Sequence, residues 1–300
     1  NTMRMARPTD FFISTRIPFV DAAYEKGLPH MKLLVLALLI LYDSMLIFQL
    51  EHVKALDTMA PYAWESGDFR AMRLGRDAAE RPFLDYEELA MAMLTENFDL
   101  TGKKLSGEPL FFPVRRQKEF ERLSDAYRMV FADLSCFPVP ESAGGDIRDV
   151  VYENGWMEER SFDGPRTHEG CDLMAGAPEA GLYPVVSMTD GVVEQAGWLK
   201  KGGWRIGIRA PAGAYLYYAH LDSYGKTLDG REWRPGDTVH AGELLGYMGD
   251  SGYGEPGTTG QFPVHLHLGI YIRTEHHDEL SVNPYWILRY LEKYRTRASY

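Results

Sequence analysis

The sequence predicts an antiparallel, all-β domain of barrel-sandwich-like build over residues 136–300, preceded by an α-helical N-terminal region that carries a membrane anchor. Three observations predict it. Of the 29 glycines, only 5 precede residue 136 and the other 24 follow it, so turn-forming residues crowd into one half of the chain. At the same place the hydrophobic periodicity changes from helical to alternating. Upstream, residues 33–50, "LLVLALLILYDSMLIFQL", form an apolar run of 18 residues with one formal charge, Asp43, at the lower limit for crossing a bilayer.

Taken in order, residues 1–32 read as an N-terminal tail. Arg4, Arg7, Arg16, Lys26 and Lys32 precede the apolar run, and this positive bias expects the tail in the cytoplasm and the remainder outside. A start at Met31, with 33–50 as a secretory signal, is the alternative; a buried core helix is another. No convincing A-x-A cleavage site follows, which favours an uncleaved anchor.

Residues 51–135 read as a helical region of unknown role. Asp85 followed by Glu88 resembles a capping box for "YEELAMAML", and Phe120, Leu123, Tyr127, Val130, Phe131 and Leu134 recur at helical spacing. Glu96 in "LTENFDL" is expected to be a solvated helix-end carboxylate rather than a catalytic acid. From 136 onward the strand candidates are "YPVVSMT", "GVVEQAGW", "WRIGIRA", "AYLYYAHL", "ELLGYMG" and "HLHLGIYIR", with turns at "RPGD" and "EPGTTG". A helix in "NPYWILRYLEKY", capped by Asn283 and opened by Pro284, closes the domain.

Composition excludes some partners. With 32 Lys and Arg against 43 Asp and Glu, the net charge is −11 and no basic face for a nucleic acid is evident. The two cysteines, Cys136 and Cys171, rule out a cysteine-rich zinc module; one disulfide between them and two free buried thiols both remain open.

The histidines suggest a metal. A catalytic zinc site takes three protein ligands from His, Cys or Asp/Glu and leaves a fourth position for water. His265 and His267 are two apart in a strand-like run and leave the same face. His168 and Asp172 are four apart, which puts them on one face of a strand or one turn of a helix, although Gly170 argues against the helix. His220 is in phase with Leu216 and Tyr218 at a strand end; by itself it reads equally as a satisfied structural residue.

In order and spacing, "HEGCD", "YYAHL", "GDTVHAGELLGYMGDSG" and "VHLHLGIY" resemble the lysostaphin-like zinc peptidases of family M23, the LytM-type peptidoglycan endopeptidases. The resemblance covers residues 150–290, roughly half the chain, and nothing in it carries over to 1–135. It implies one zinc ion on His168, Asp172 and His267, with His220 and His265 as the unligated catalytic pair. It further implies hydrolysis of stem or cross-bridge peptides of peptidoglycan, at the outer face of a bacterial membrane or in the cell wall. A thiolate from Cys171 would instead close the site structurally, though on a strand it would point away from His168 and Asp172. His240, His276 and His277 lie outside the pattern. A catalytically silent wall-binding or hydrolase-activating module of the same fold is the alternative, and a prosthetic-group carrier using Lys200 or Lys201 is a third. Trp198, Trp204, Tyr217, Tyr218, Tyr247 and Tyr253 could line a substrate groove or serve as core.

Overall fold

A computed structural model describes residues 18–105, 117–145, 149–162 and 164–300, with the backbone alone for 18–29 and 117. Arg4, Arg7 and Arg16 lie outside the described residues, as does the side chain of Lys26. The chain divides into two compact units, residues 1–51 and 52–300.

Helix α1, Pro18–Thr58, is the described part of the first unit and runs on into the second. It extends the apolar run of 33–50 at both ends. From His30 to Thr58 it has 29 residues, and its most apolar window has a mean hydropathy of 2.3 with only 6% of it buried. A helix of that length measures about 43 Å, more than the ~30 Å of a bilayer's hydrocarbon. Leu33, Leu34, Leu38, Ile40 and Leu41 are all exposed, and by length and composition the helix is compatible with an anchor or a signal.

In the second unit, helices α2 (Gly67–Arg70), α3 (Gly75–Glu80), α4 (Tyr86–Thr95) and α5 (Gln117–Phe131) precede the strands. The Asp85 carboxylate caps α4 by accepting from the amides of Glu87 and Glu88 at 3.0 and 2.9 Å. The capping box is only half made, because Glu88 accepts from Arg81 at 2.9 Å instead of reaching back. On α5, Phe120, Leu123, Tyr127, Val130 and Phe131 are buried, whereas Leu134 falls past the helix end and bridges to Thr189. Glu96 ends α4 and pairs with Lys103, as a helix-end carboxylate should.

One sheet holds ten strands. They are β1 (Val151–Tyr152), β2 (Cys171–Met174), β3 (Pro184–Val186), β4 (Gly191–Leu199), β5 (Gly203–Arg209), β6 (Tyr215–Tyr224), β7 (Thr238–Val239), β8 (Leu244–Met248), β9 (His265–Ile272) and β10 (Leu280–Val282). The main path runs β7-β4-β5-β6-β9-β2-β1, every pair antiparallel; β10 joins β9, and β8 joins β3 and the far end of β6. Each of the six strand candidates lies on one of these strands. Alternation sends Leu266, Leu268, Ile270 and Ile272 of β9 into the core, together with Leu173, Ile206, Ile208, Leu216 and Tyr218. Each such burial contributes about 1.5–3 kcal/mol, and the opposite face of β9 is left to His265, His267 and Tyr271.

Strand β6 changes partners partway along. It pairs with β9 as far as Ala219 and with β8 from Leu221 onward, and its register against β5 shifts over the same stretch. His220 sits at the change with φ +62°, a left-handed backbone that is uncommon outside glycine.

The chain closes with α6, Tyr285–Leu291. Asn283 Oδ1 accepts from the Tyr285 amide at 3.0 Å, so the expected cap is made. The same buried side chain donates to Ala71 O at 3.2 Å and Asn154 Oδ1 at 3.0 Å, and its backbone amide donates to Arg70 O at 2.8 Å. Arg70 in turn donates to Ser281 O at 2.9 Å and to Glu169 at 2.9 Å, which fastens the helices to the segment before β2. Cys136 and Cys171 are both free and buried, and burial pushes their thiols up, to about 11 and about 12.

Asn283→Ala removes the cap and strands a buried carbonyl at Ala71. Urea unfolding followed by circular dichroism should give a loss of about 2–4 kcal/mol.

Candidate metal centre

Strands β2 and β9 run antiparallel in a register that sets His267 opposite Asp172 and Leu268 opposite Cys171. Because side chains alternate, Asp172 and His267 rise from one face while Cys171, Leu173, Leu266 and Leu268 enter the core from the other. Cys171 is therefore turned away from the cluster, its Sγ 3.5 Å from Glu153 O, and a thiolate ligand has no place here. His168 lies in the segment before β2. Its amide donates to Glu158 O and its carbonyl accepts from Met157, both at 2.9 Å. The strand reading of the His168–Asp172 spacing is thus correct for Asp172, whereas His168 reaches the same point from a loop.

Three donor atoms converge. His168 Nε2, Asp172 Oδ1 and His267 Nδ1 form a triangle with sides of 3.0, 3.1 and 2.9 Å. Donors about 2.0–2.1 Å from one tetrahedral ion stand about 3.4 Å apart, so a small outward expansion of the triangle separates these atoms from a zinc set. Among the described residues this is the one group able to hold a metal. The second nitrogen of His168, Nδ1, lies 3.0 Å from Gly155 O and 3.1 Å from Arg160 Nη2; a proton on Nδ1, donated to the carbonyl, turns the Nε2 lone pair inward. Burial works to raise the Asp172 carboxyl, but the imidazoles of His168 and His267 beside it overcome burial and hold it well below the usual carboxylate range.

Gly170 makes the approach of the strands feasible. A Cβ there would lie 2.4 Å from His267 Cε1 and 2.8 Å from Leu268 O, so any other residue would push into the imidazole.

His220 and His265 stand beside the triangle, their rings 4.7 Å apart. His220 Nδ1 lies 2.8 Å from Ser251 O and His265 Nδ1 lies 2.8 Å from Pro263 O, which leaves both Nε2 atoms with lone pairs. His265 Nε2 is 3.8 Å from Asp172 Oδ1. Burial, reinforced by the charges of His265 and His267, pushes His220 down to about 3, and burial likewise lowers His265. Both are neutral bases near pH 7. Simple alternation with Leu216 and Tyr218 would have buried His220 in the core; the left-handed residue and partner change at this point bring it to the cleft instead.

The cleft has a volume of about 360 Å³. Of the aromatic candidates, Tyr217 and Tyr253 line it, whereas Tyr218 is wholly buried and Trp198 packs edge-on against Trp204. Lys201 also lines it, from the β4–β5 turn. Phe262, 4.5 Å from His220, and Arg160 were not singled out by sequence reasoning. Arg160 donates to Asp172 Oδ2 at 3.0 Å and keeps that oxygen occupied while Oδ1 faces the histidines. It comes from a two-residue hairpin pair, Glu159–Arg160 with Arg166–Thr167, too short to leave a periodic signal. Outside the cleft, His240 is exposed beside Asp190, and His276 and His277 flank Glu65 in an exposed bend.

The profile of Peptidase family M23 matches residues 166–284, a span containing all five of these residues. A crystal structure of a lytM protein from Ruminococcus gnavus, provisionally assigned as a glycyl-glycine endopeptidase, is 42% identical, with a TM-score of 0.70 over 83% of this chain and 98% of that one. The chain belongs to peptidase family M23. Its likeness to the R. gnavus structure covers more than residues 136–300 alone contain, so the helices are shared architecture as well as the sheet. The L-Ala–D-Glu endopeptidase of Bacillus subtilis strain 168 is 42% identical over 177 residues, 59% of this chain and 49% of that protein; the chain spans about half the length of this curated relative.

Gly170→Ala should displace His267 and weaken metal binding by about 10-fold or more while the fold survives. Competition against a chromophoric chelator, with circular dichroism as the control, reads both.

Proposed function

We propose that this chain is a zinc-dependent endopeptidase that hydrolyses peptide bonds in the stem or cross-bridge peptides of peptidoglycan. The convergence of His168 Nε2, Asp172 Oδ1 and His267 Nδ1, with two neutral histidines presenting lone pairs beside them, carries the reading. Membership of family M23 and likeness to two endopeptidases support it. The exposed apolar helix supports action at the outer face of a bacterial membrane, with α1 as anchor or signal.

A zinc ion held by His168, Asp172 and His267 supplies Lewis acidity at a scissile carbonyl and lowers the pKa of a water to about 7. The remaining work falls to the chain's own side chains. His220 and His265, neutral and with free Nε2 atoms, can accept a proton from the attacking water and return it to the departing amine. Once protonated, either can donate to the oxygen that gains charge in the transition state. Their Nδ1 bonds to backbone carbonyls fix the tautomer and the ring plane, so the proton is exchanged at Nε2 alone. Arg160 keeps Asp172 oriented, and Phe262 and Tyr253 wall the histidines on one side.

Two groups of variants separate binding from chemistry. Alanine at His168, Asp172 or His267 should abolish bound zinc by elemental analysis. Alanine at His220 or His265 should retain the metal and reduce kcat by about 10²-fold or more. The substrate is read by incubating the chain with peptidoglycans of differing cross-link chemistry and identifying new amine termini by mass spectrometry. Termini that vanish with a chelator and return with zinc are the expected result. Intact peptides from a zinc-loaded protein would overturn the peptidase reading in favour of a silent wall-binding module.

A further inference from the structure

The charge lining the cleft runs against that of the whole chain. In a protein of net charge −11, the cleft presents Arg160, Arg166 and Lys201, and among the described residues the sole carboxylate in its lining is Asp172. Asp172 is already engaged by the two histidines and by Arg160. Arg166 has no such partner: among the described residues no carboxylate lies within 4.0 Å of it, and its Nε is buried without a hydrogen bond.

Its placement is costly. The register of the short hairpin sets Arg160 directly opposite Arg166, and like charges facing each other across an antiparallel pair destabilise it. Asp172 compensates Arg160 and leaves Arg166 unbalanced. The guanidinium is nevertheless held: Nη2 donates to Tyr253 Oη at 2.9 Å, and the Tyr253 ring is stacked on Phe162 at 3.9 Å with the planes 4° apart. A planar donor group, fixed on an aromatic support at the rim of a peptide cleft and lacking a counter-ion among the described residues, fits an incoming carboxylate, which it can grip through two parallel bonds.

We propose that Arg166 is a specificity residue that receives a free carboxylate of the peptide substrate. This rests on the endopeptidase reading and narrows it. The preferred substrate is an acidic stem peptide, such as one in which D-glutamate is γ-linked and keeps its α-carboxylate; a glycine bridge offers no side carboxylate to grip.

The test compares two synthetic peptides, L-Ala–γ-D-Glu–L-Lys and its counterpart with the α-carboxylate converted to a primary amide. Cleavage is measured with the zinc-loaded full chain, and binding by calorimetry with the metal-free chain. The wild-type protein should favour the acid over the amide by at least about 10-fold in kcat/KM and in affinity. Arg166→Gln should bring both ratios close to one, and Arg166→Lys should restore part of the preference; reading ratios within one variant separates recognition from a general loss of folding. Equal handling of the two peptides by the wild-type protein, or an unchanged ratio in Arg166→Gln, overturns the proposal and leaves the peptidase reading standing. Discrimination in binding without cleavage of any peptide overturns the peptidase reading and leaves the carboxylate site standing.

Discussion

The pairing of β2 with β9 is the constraint on which the site depends. With Asp172 opposite His267, one strand pair delivers two donors to a single point and four apolar side chains to the core beneath it. A slip of one residue would turn every side chain to the opposite face, burying a carboxylate and an imidazole while exposing Leu266 and Leu268. The hydrophobic core thus enforces the register that gathers the cluster, and the candidate metal donors need no separate device to align them.

The histidine at the partner change in β6 shows a different economy. His220 occupies a left-handed backbone conformation that costs on the order of 1 kcal/mol in a residue bearing a Cβ. Its amide donates to Gly202 O, its carbonyl accepts from Gly249 and its Nδ1 meets Ser251 O, so the β4–β5 turn and the segment after β8 together determine the conformation. The strain is borne where the strand must serve β9 on one stretch and β8 on the next. The irregularity that accommodates the sheet also delivers a base to the cleft.

How much could be read in advance follows from which signals are local. Alternation in "HLHLGIYIR" and "AYLYYAHL" is local, so the long strands were legible, as was the cap that Asn283 provides. Spacing also brought His168, Asp172, His220, His265 and His267 into view, and the structure gathers all five around one cleft. The orientation of His220 was not legible, because a bulge breaks the period on which the inference relied. Arg160 and Arg166 stayed hidden because a two-residue strand pair has no period, and the half-made box at Asp85 stayed hidden because Arg81 competes for Glu88. Leu134 follows the apolar period of α5 but lies beyond its last turn, where it serves the sheet instead.

The helices before the sheet have their own bearing on the cleft. Arg70 on α2 holds Glu169, the neighbour of His168, while also gripping Ser281 on β10. Removed from those helices, the segment bearing His168 would lose its outer support and Asn283 would lose two of its backbone partners. The five-residue cleft is therefore not a transposable cassette: a gene fusion or recombination event that moved the β strands alone would carry its residues and leave behind the scaffold that holds the first of them.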